Sequence, residues 1–201
     1  MKKLAVMGGT FNPIHVGHLQ MADAAVCKFG CDNVLFMTAG NPPHKHSNHI
    51  LDAHIRFEMT HLAIKGDPRF FDSDYEVQKK GYSYTAQTME MLSEQYPDTK
   101  MYFVIGSDSL ADLLLWKDPD KLFSITQFLV FPRKGLDVPI DELTNKYRQM
   151  FGAKITNIPY PVANISSTYL REQMALGNWE NISPFIPSKV FSYIKMHGLY
   201  S

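Results

Sequence analysis

Apolar residues recur along this chain in two rhythms. Short, nearly unbroken runs of strand-forming residues stand at 4–7 (LAVM), 33–39 (NVLFMTA), 70–77 (FFDSDYEV), 101–106 (MYFVIG), 128–131 (FLVF) and 154–159 (KITNIP). Segments between them repeat every three or four residues instead. In DAHIRFEMTHLAIKG, Ile55, Met59, Leu62 and Ala63 share one helical face, and Gly66 stands where a C-cap closes the helix. Strand followed by helix, several times over, predicts an α/β class fold: a Rossmann-like, doubly wound, mostly parallel sheet with helices on both faces. LAVM and MYFVIG are apolar throughout, as expected of strands buried on both faces. From Ile165 onward the chain reads as a C-terminal helical tail; Pro187 opens its last helix, and Val190, Phe191 and Ile194 face the core. No repeat, low-complexity tract or linker interrupts the pattern, so one domain over 1–201 is expected.

Charge narrows the partners. Lys plus Arg and Asp plus Glu number 20 each, so no net field draws the chain to nucleic acid or to an anionic membrane surface. Any anion must be held locally. No apolar run approaches the roughly 20 residues that span a bilayer, and the start MKKLAVMGG lacks the features of a signal peptide. A cytoplasmic protein is expected. Cys27 and Cys31, in C-x-x-x-C spacing, match neither a disulfide framework nor a zinc pair and read as reduced structural thiols.

The chemistry gathers at the ends of the two best strands, where open α/β sheets bind their ligands. LAVM runs into GGTFNPIHVGH (8–18) and MYFVIG into GSDSL. A strand, a glycine turn and a helix start suit a phosphate, because small residues let backbone N–H groups approach an anion at the positive helix end. The dinucleotide fingerprint G-x-G-x-x-G fails here, since the glycine after Gly8 and Gly9 is Gly17; the P-loop pattern is absent as well. A zinc-protease helix would need H-E-x-x-H, whereas His15 and His18 enclose Val16 and Gly17. Beside this turn, the two imidazoles can both donate to one phosphate.

GGTFNPIHVGH is similar to the G-G-[TS]-F-[DN]-P-x-H-x-G-H signature of the nucleotidyltransferase superfamily that carries H-x-G-H, and Ile165-Ser166-Ser167-Thr168-Tyr169-Leu170-Arg171 resembles its I-S-S-T-x-x-R block. Pro42-Pro43-His44-Lys45, Gly81-Tyr82-Ser83-Tyr84-Thr85, Gly106-Ser107-Asp108 with Trp116, and the ending His197-Gly198-Leu199-Tyr200 extend the likeness over the whole chain. The full pattern resembles the bacterial nicotinate-nucleotide adenylyltransferase family. That resemblance implies transfer of an adenylyl group from ATP to nicotinate mononucleotide, with Mg²⁺ arriving with ATP. It implies phosphate contacts for His15, His18, Lys45 and Arg171. ATP would further meet Gly8, Gly9, Thr10, Phe11, Gly106, Asp108, Ile165, Ser166, Ser167 and Thr168. The mononucleotide would meet Tyr84, Thr85, Trp116, Lys117 and Arg133, with the Trp116 ring stacked on the pyridine.

Adenylyl transfer asks little covalent help, because the acceptor phosphate already carries a nucleophilic oxygen. It asks for alignment of three groups and for donors where charge accumulates. Blander readings of the same residues stand beside these roles. Ser167 and Thr168 suit a helix cap, Asp108 a first-turn carboxylate, Trp116 and Tyr84 core packing, and His46 and His49 a solvated loop. Two departures from the family pattern are Asn12 in place of Asp and Arg133-Lys134-Gly135 in place of R-P-G. Phosphopantetheine adenylyltransferases share the first motif but lack the G-Y-S-Y-T plus Trp arrangement. A histidine-based metal-dependent hydrolase is the alternative of a different class.

Overall fold

A computed structural model describes residues 1–43, 50–133, 135 and 137–200. Six strands form one parallel sheet: β1 (Lys2–Gly9), β2 (Asn33–Thr38), β3 (Phe70–Ser73), β4 (Thr99–Gly106), β5 (Gln127–Phe131) and β6 (Lys154–Asn157). Their order is β3-β2-β1-β4-β5-β6. The chain therefore winds outward from β1 in one direction, returns beside it as β4, and winds outward the other way. Every pairing is parallel, with Met7 opposite Phe36 and Val6 opposite Phe103.

Among the described residues ten α-helices complete the layers: α1 (Val16–Cys27), α2 (Ala53–Ile64), α3 (Tyr75–Gln78), α4 (Thr85–Gln95), α5 (Ser107–Asp112), α6 (Pro119–Ile125), α7 (Ile140–Phe151), α8 (Ser167–Ala175), α9 (Trp179–Ile182) and α10 (Ser188–Met196). Alternation along each strand divides the core into two. Ala5, Met7, Val34, Phe36, Tyr102 and Val104 pack with α1, α2 and the helical tail. Leu4, Val6, Leu35, Met37, Phe103 and Ile105 pack on the other side with α4 to α7. Both faces are covered, which is why the central runs of these strands, 4–7, 34–37 and 101–105, are apolar on both sides. Val190 and Ile194 of α10 are buried and Phe191 packs at the edge of the same cluster, as the periodicity predicts. Gly66 follows the α2 cap residue Lys65 with φ +114°, the conformation a helix-ending glycine supplies.

One sequence expectation is corrected. The run FFDSDYEV does not continue as a strand past Ser73. Ser73 Oγ accepts from the Tyr75 N–H at 3.2 Å, Asp74 becomes the N-cap residue of α3, and Gln78 closes that turn onto Asp74 at 3.2 Å. Local side-chain bonds of this kind compete with a ladder. In the segment SLADLLLW the α-helix ends at Asp112; Leu113–Leu115 form a 3₁₀ turn, and Trp116 is extended. Cys31 is buried, and burial pushes its thiol up to about 11, so it behaves as a small apolar residue.

One buried cation organises the sheet's C-terminal edge. Arg56, only 1 % exposed, projects from the apolar side of α2. Its guanidinium donates to the carbonyls of Thr10 (2.7 Å), Ala39 (2.7 Å), Gly40 (2.9 Å) and Leu51 (2.8 Å). It thereby ties the ends of β1 and β2 to the entry of α2. Replacing Arg56 by Met is expected to cost about 3 kcal/mol in urea unfolding, because several buried carbonyls lose their donor together. A loss below about 1 kcal/mol would show that those carbonyls find other partners.

Candidate active site

A cleft of about 770 Å³ opens at the C-terminal ends of β1 and β4, the two central strands between which the winding reverses. Its first wall is GGTFNPIHVGH. The glycines are required by packing: a Cβ on Gly8 would lie 2.7 Å from the Phe103 ring and one on Gly9 2.7 Å from the Phe11 ring. Phe11 turns the backbone at φ +47° and buries its ring against Phe36 and the edge of the His18 ring. Left-handed backbone at a non-glycine residue is held only where its surroundings enforce it. The chain then enters α1 through His15, the N-cap residue.

The two imidazoles stack at 3.7 Å between centroids and 25° between planes. Gly17 makes room for this, since a Cβ there would lie 3.1 Å from His15 Nδ1 and Cε1. That steric demand accounts for the glycine within H-x-G-H. His18 Nδ1 accepts the His15 backbone N–H at 3.2 Å, so the proton of a neutral His18 sits on Nε2. His15 is 3 % exposed, and its Nδ1 has no hydrogen-bond partner among the described residues. Burial first, and the Arg133 charge second, push its pKa down to about 3. It is neutral at physiological pH. No acidic residue occupies the first turn of α1, so the positive helix end is left to other anions.

The opposite wall comes from the far end of the sequence. Ser166 caps α8, accepting from the Tyr169 N–H at 3.1 Å. The cap is therefore Ser166 rather than Ser167 or Thr168, which frees Ser167 to donate to the Pro13 carbonyl at 2.9 Å. Arg171 donates to the Asn12 carbonyl at 2.9 Å and approaches Thr168 Oγ1 at 3.4 Å. Among the described residues its guanidinium is thus held by neutral oxygens. Asn12 is a junction missed by sequence reasoning: its Oδ1 accepts from the Tyr200 hydroxyl at 2.8 Å and from the Leu51 N–H at 3.3 Å. Both bonds ask only for an acceptor, so the Asn in place of Asp keeps them. Burial raises the Tyr200 hydroxyl well above its ordinary pKa and keeps it a donor.

Gly8, Gly9, Thr10, Phe11, His15, His18, Gly106, Asp108, Ile165, Ser166, Ser167, Thr168 and Arg171 all line this cleft, as do Tyr84, Thr85, Trp116, Lys117 and Arg133. Lys45 lies outside the described residues, with His44, His46 and His49. Trp116 sets its ring edge-on to Phe103 at 6.1 Å. Arg133 is committed to neighbours: it pairs with Asp108 at 2.6 Å and donates to the Ile165 carbonyl at 3.0 Å. That bridge joins β5, α5 and the segment leading into α8. Arg56 and Tyr200 gave no sequence signal beyond their place in an apolar face and in HGLY.

Residues 6–173 match the cytidylyltransferase-like family model. A Clostridium tetani protein named "Probable nicotinate-nucleotide adenylyltransferase" is 40 % identical over 201 residues, covering 100 % of both chains. A Clostridium novyi protein of the same name is 40 % identical over 202 residues, again with full coverage of both. In fold, the chain is similar to the Plasmodium falciparum nicotinic acid mononucleotide adenylyltransferase complexed with NaAD, with TM-score 0.84, 22 % identity, and coverage of 100 % of this chain and 98 % of that one.

The buried, neutral His15 has a consequence for stability. Its folded pKa of about 3 lies below the ordinary 6.5, so between these values the unfolded chain binds a proton that the folded chain does not. Stability must fall as pH falls through that window. Between pH 7.5 and 5 the wild type is expected to lose about 2 kcal/mol more than His15→Gln in denaturant unfolding. Equal pH slopes for the two proteins would contradict the neutral buried imidazole.

Proposed function

Because the chain belongs to the cytidylyltransferase-like family, we propose that it transfers the adenylyl group of ATP to nicotinate mononucleotide, giving nicotinate adenine dinucleotide (deamido-NAD) and pyrophosphate in NAD biosynthesis. The observation that carries this reading is the meeting of His15 and His18 with Arg171 in one cleft, across 153 or more positions of sequence, on a floor of glycines and helix ends. In this reading residues 1–201 act as one nucleotidyltransferase domain working in the cytoplasm. No helix among the described residues is long and apolar enough to cross a membrane.

The acceptor phosphate attacks the α-phosphorus of ATP in line with the departing pyrophosphate, so no side chain need act as base or nucleophile. His18 would donate from Nε2 to the α-phosphate as negative charge builds there, an arrangement that strengthens toward the transition state. Arg171, charged and held by neutral oxygens, suits the β and γ phosphates, with the α8 N-terminus beside it. Lys45 would reach the same phosphates from the neighbouring loop. Mg²⁺ would travel with the nucleotide and shield its charge. Of the carboxylates lining the cleft among the described residues, Asp108 is paired with Arg133, and Glu76 takes the Thr88 hydroxyl. At the acceptor end, Trp116 offers a ring face for the pyridine. Backbone donors at Thr85 and Lys117 favour a carboxylate over a carboxamide, which would present a second donor to them.

Pyrophosphate release measured with ATP and a panel of acceptors tests this. Turnover is expected with nicotinate mononucleotide, less with the nicotinamide form and none with phosphopantetheine; activity with phosphopantetheine alone would overturn the acceptor. His18→Ala is expected to lower kcat by about 10²-fold or more while the thermal transition is retained.

A further inference from the structure

The carboxyl of Glu76 lines the cleft yet has no part in the chemistry above. It is 6 % exposed, in the short α3 turn that replaces the expected end of a strand. Thr88 donates its hydroxyl to Glu76 Oε1. Thr88 stands near the start of α4, just after Tyr84 and Thr85, the N-cap residue and first residue of that helix. Ser83, which precedes them, is fixed from the other side: its Oγ accepts from the Gly40 N–H at 3.1 Å, and its own N–H donates to the Asn41 carbonyl at 2.9 Å. Gly40 itself packs so tightly that a Cβ would strike the Glu76 carbonyl.

A carboxyl in this position is costly. Burial pushes its pKa up, and the Thr88 hydroxyl and the Lys79 charge offset only part of that. An apolar side chain would fill the space without the cost, but it could not hold the Thr88 hydroxyl. No side chain caps α4 at Tyr84, so the direction of its first turn depends on this clamp and on helix packing.

We propose that Glu76 is a positioning residue for the acceptor: through its bond to Thr88, and with Gly40 and Ser83 packed beside it, it fixes the start of α4, so that Tyr84 and Thr85 meet the pyridine end of the mononucleotide. This rests on the adenylyltransferase reading above. Glu76 touches no reacting atom, and the ATP end of the cleft is built from other elements, so its loss acts on one substrate.

With each substrate varied in turn, E76A is expected to raise KM for nicotinate mononucleotide about tenfold and to leave KM for ATP within about twofold. E76Q, with one carbonyl oxygen in place of two carboxyl oxygens, falls between E76A and the wild type. If E76A does not fold, E76Q alone decides, through a rise in acceptor KM that exceeds any rise for ATP. Parallel rises in both KM values, or none in a folded variant, overturn the proposal. If the wild-type protein uses another phosphate acceptor, the substrate reading fails by itself, and the same ratio taken with that acceptor decides the role of Glu76.

Discussion

The contact on which the site depends joins the two ends of the chain. Arg171 and Ser167, at the start of α8, hold the carbonyls of Asn12 and Pro13 in the loop that leads from β1 into α1. These bonds bring two helix N-termini to one cleft. Without them the H-x-G-H turn would be a strand-to-helix connection of ordinary Rossmann type. With them, a guanidinium stands across the cleft from a pair of imidazoles.

A second set of bonds holds that turn in shape from behind. Arg56 gathers carbonyls from the ends of β1 and β2, and Tyr200, next to the last residue, donates to Asn12. His15 is kept uncharged by burial and His18 is aimed by a backbone N–H. On the proposed function, a chain with no net charge holds a polyanion through backbone dipoles and one or two local cations fixed in advance, in place of a broad basic surface.

Much of this was legible in sequence. The central strands and the sheet class followed from apolar runs because parallel strands covered on both faces bury both sets of side chains; the edge strands β3 and β6, less covered, carry polar residues. The residues lining the cleft followed from the ends of β1 and β4 and from the block 165–171. Distant contacts were not legible. Nothing local in HGLY says that Tyr200 reaches Asn12, and Arg56 sits in a helical pattern that predicts only a face. The FFDSDYEV run misled because Phe70, Phe71, Tyr75 and Val77 are all strand formers, while Ser73 and Asp74 turn the backbone through their own side chains. The glycine pair has a double reason of which sequence suggested one half: small residues admit phosphate, and they also seat the rings of Phe11 and Phe103.

The proposed function requires that the front and rear of the chain hold one triphosphate between them. A crystal structure with a non-hydrolysable ATP analogue and Mg²⁺ decides this. The α-phosphate is expected within hydrogen-bonding distance of His18 and the terminal phosphates on Arg171 and the first turn of α8. An analogue bound with its phosphates away from both residues would contradict it.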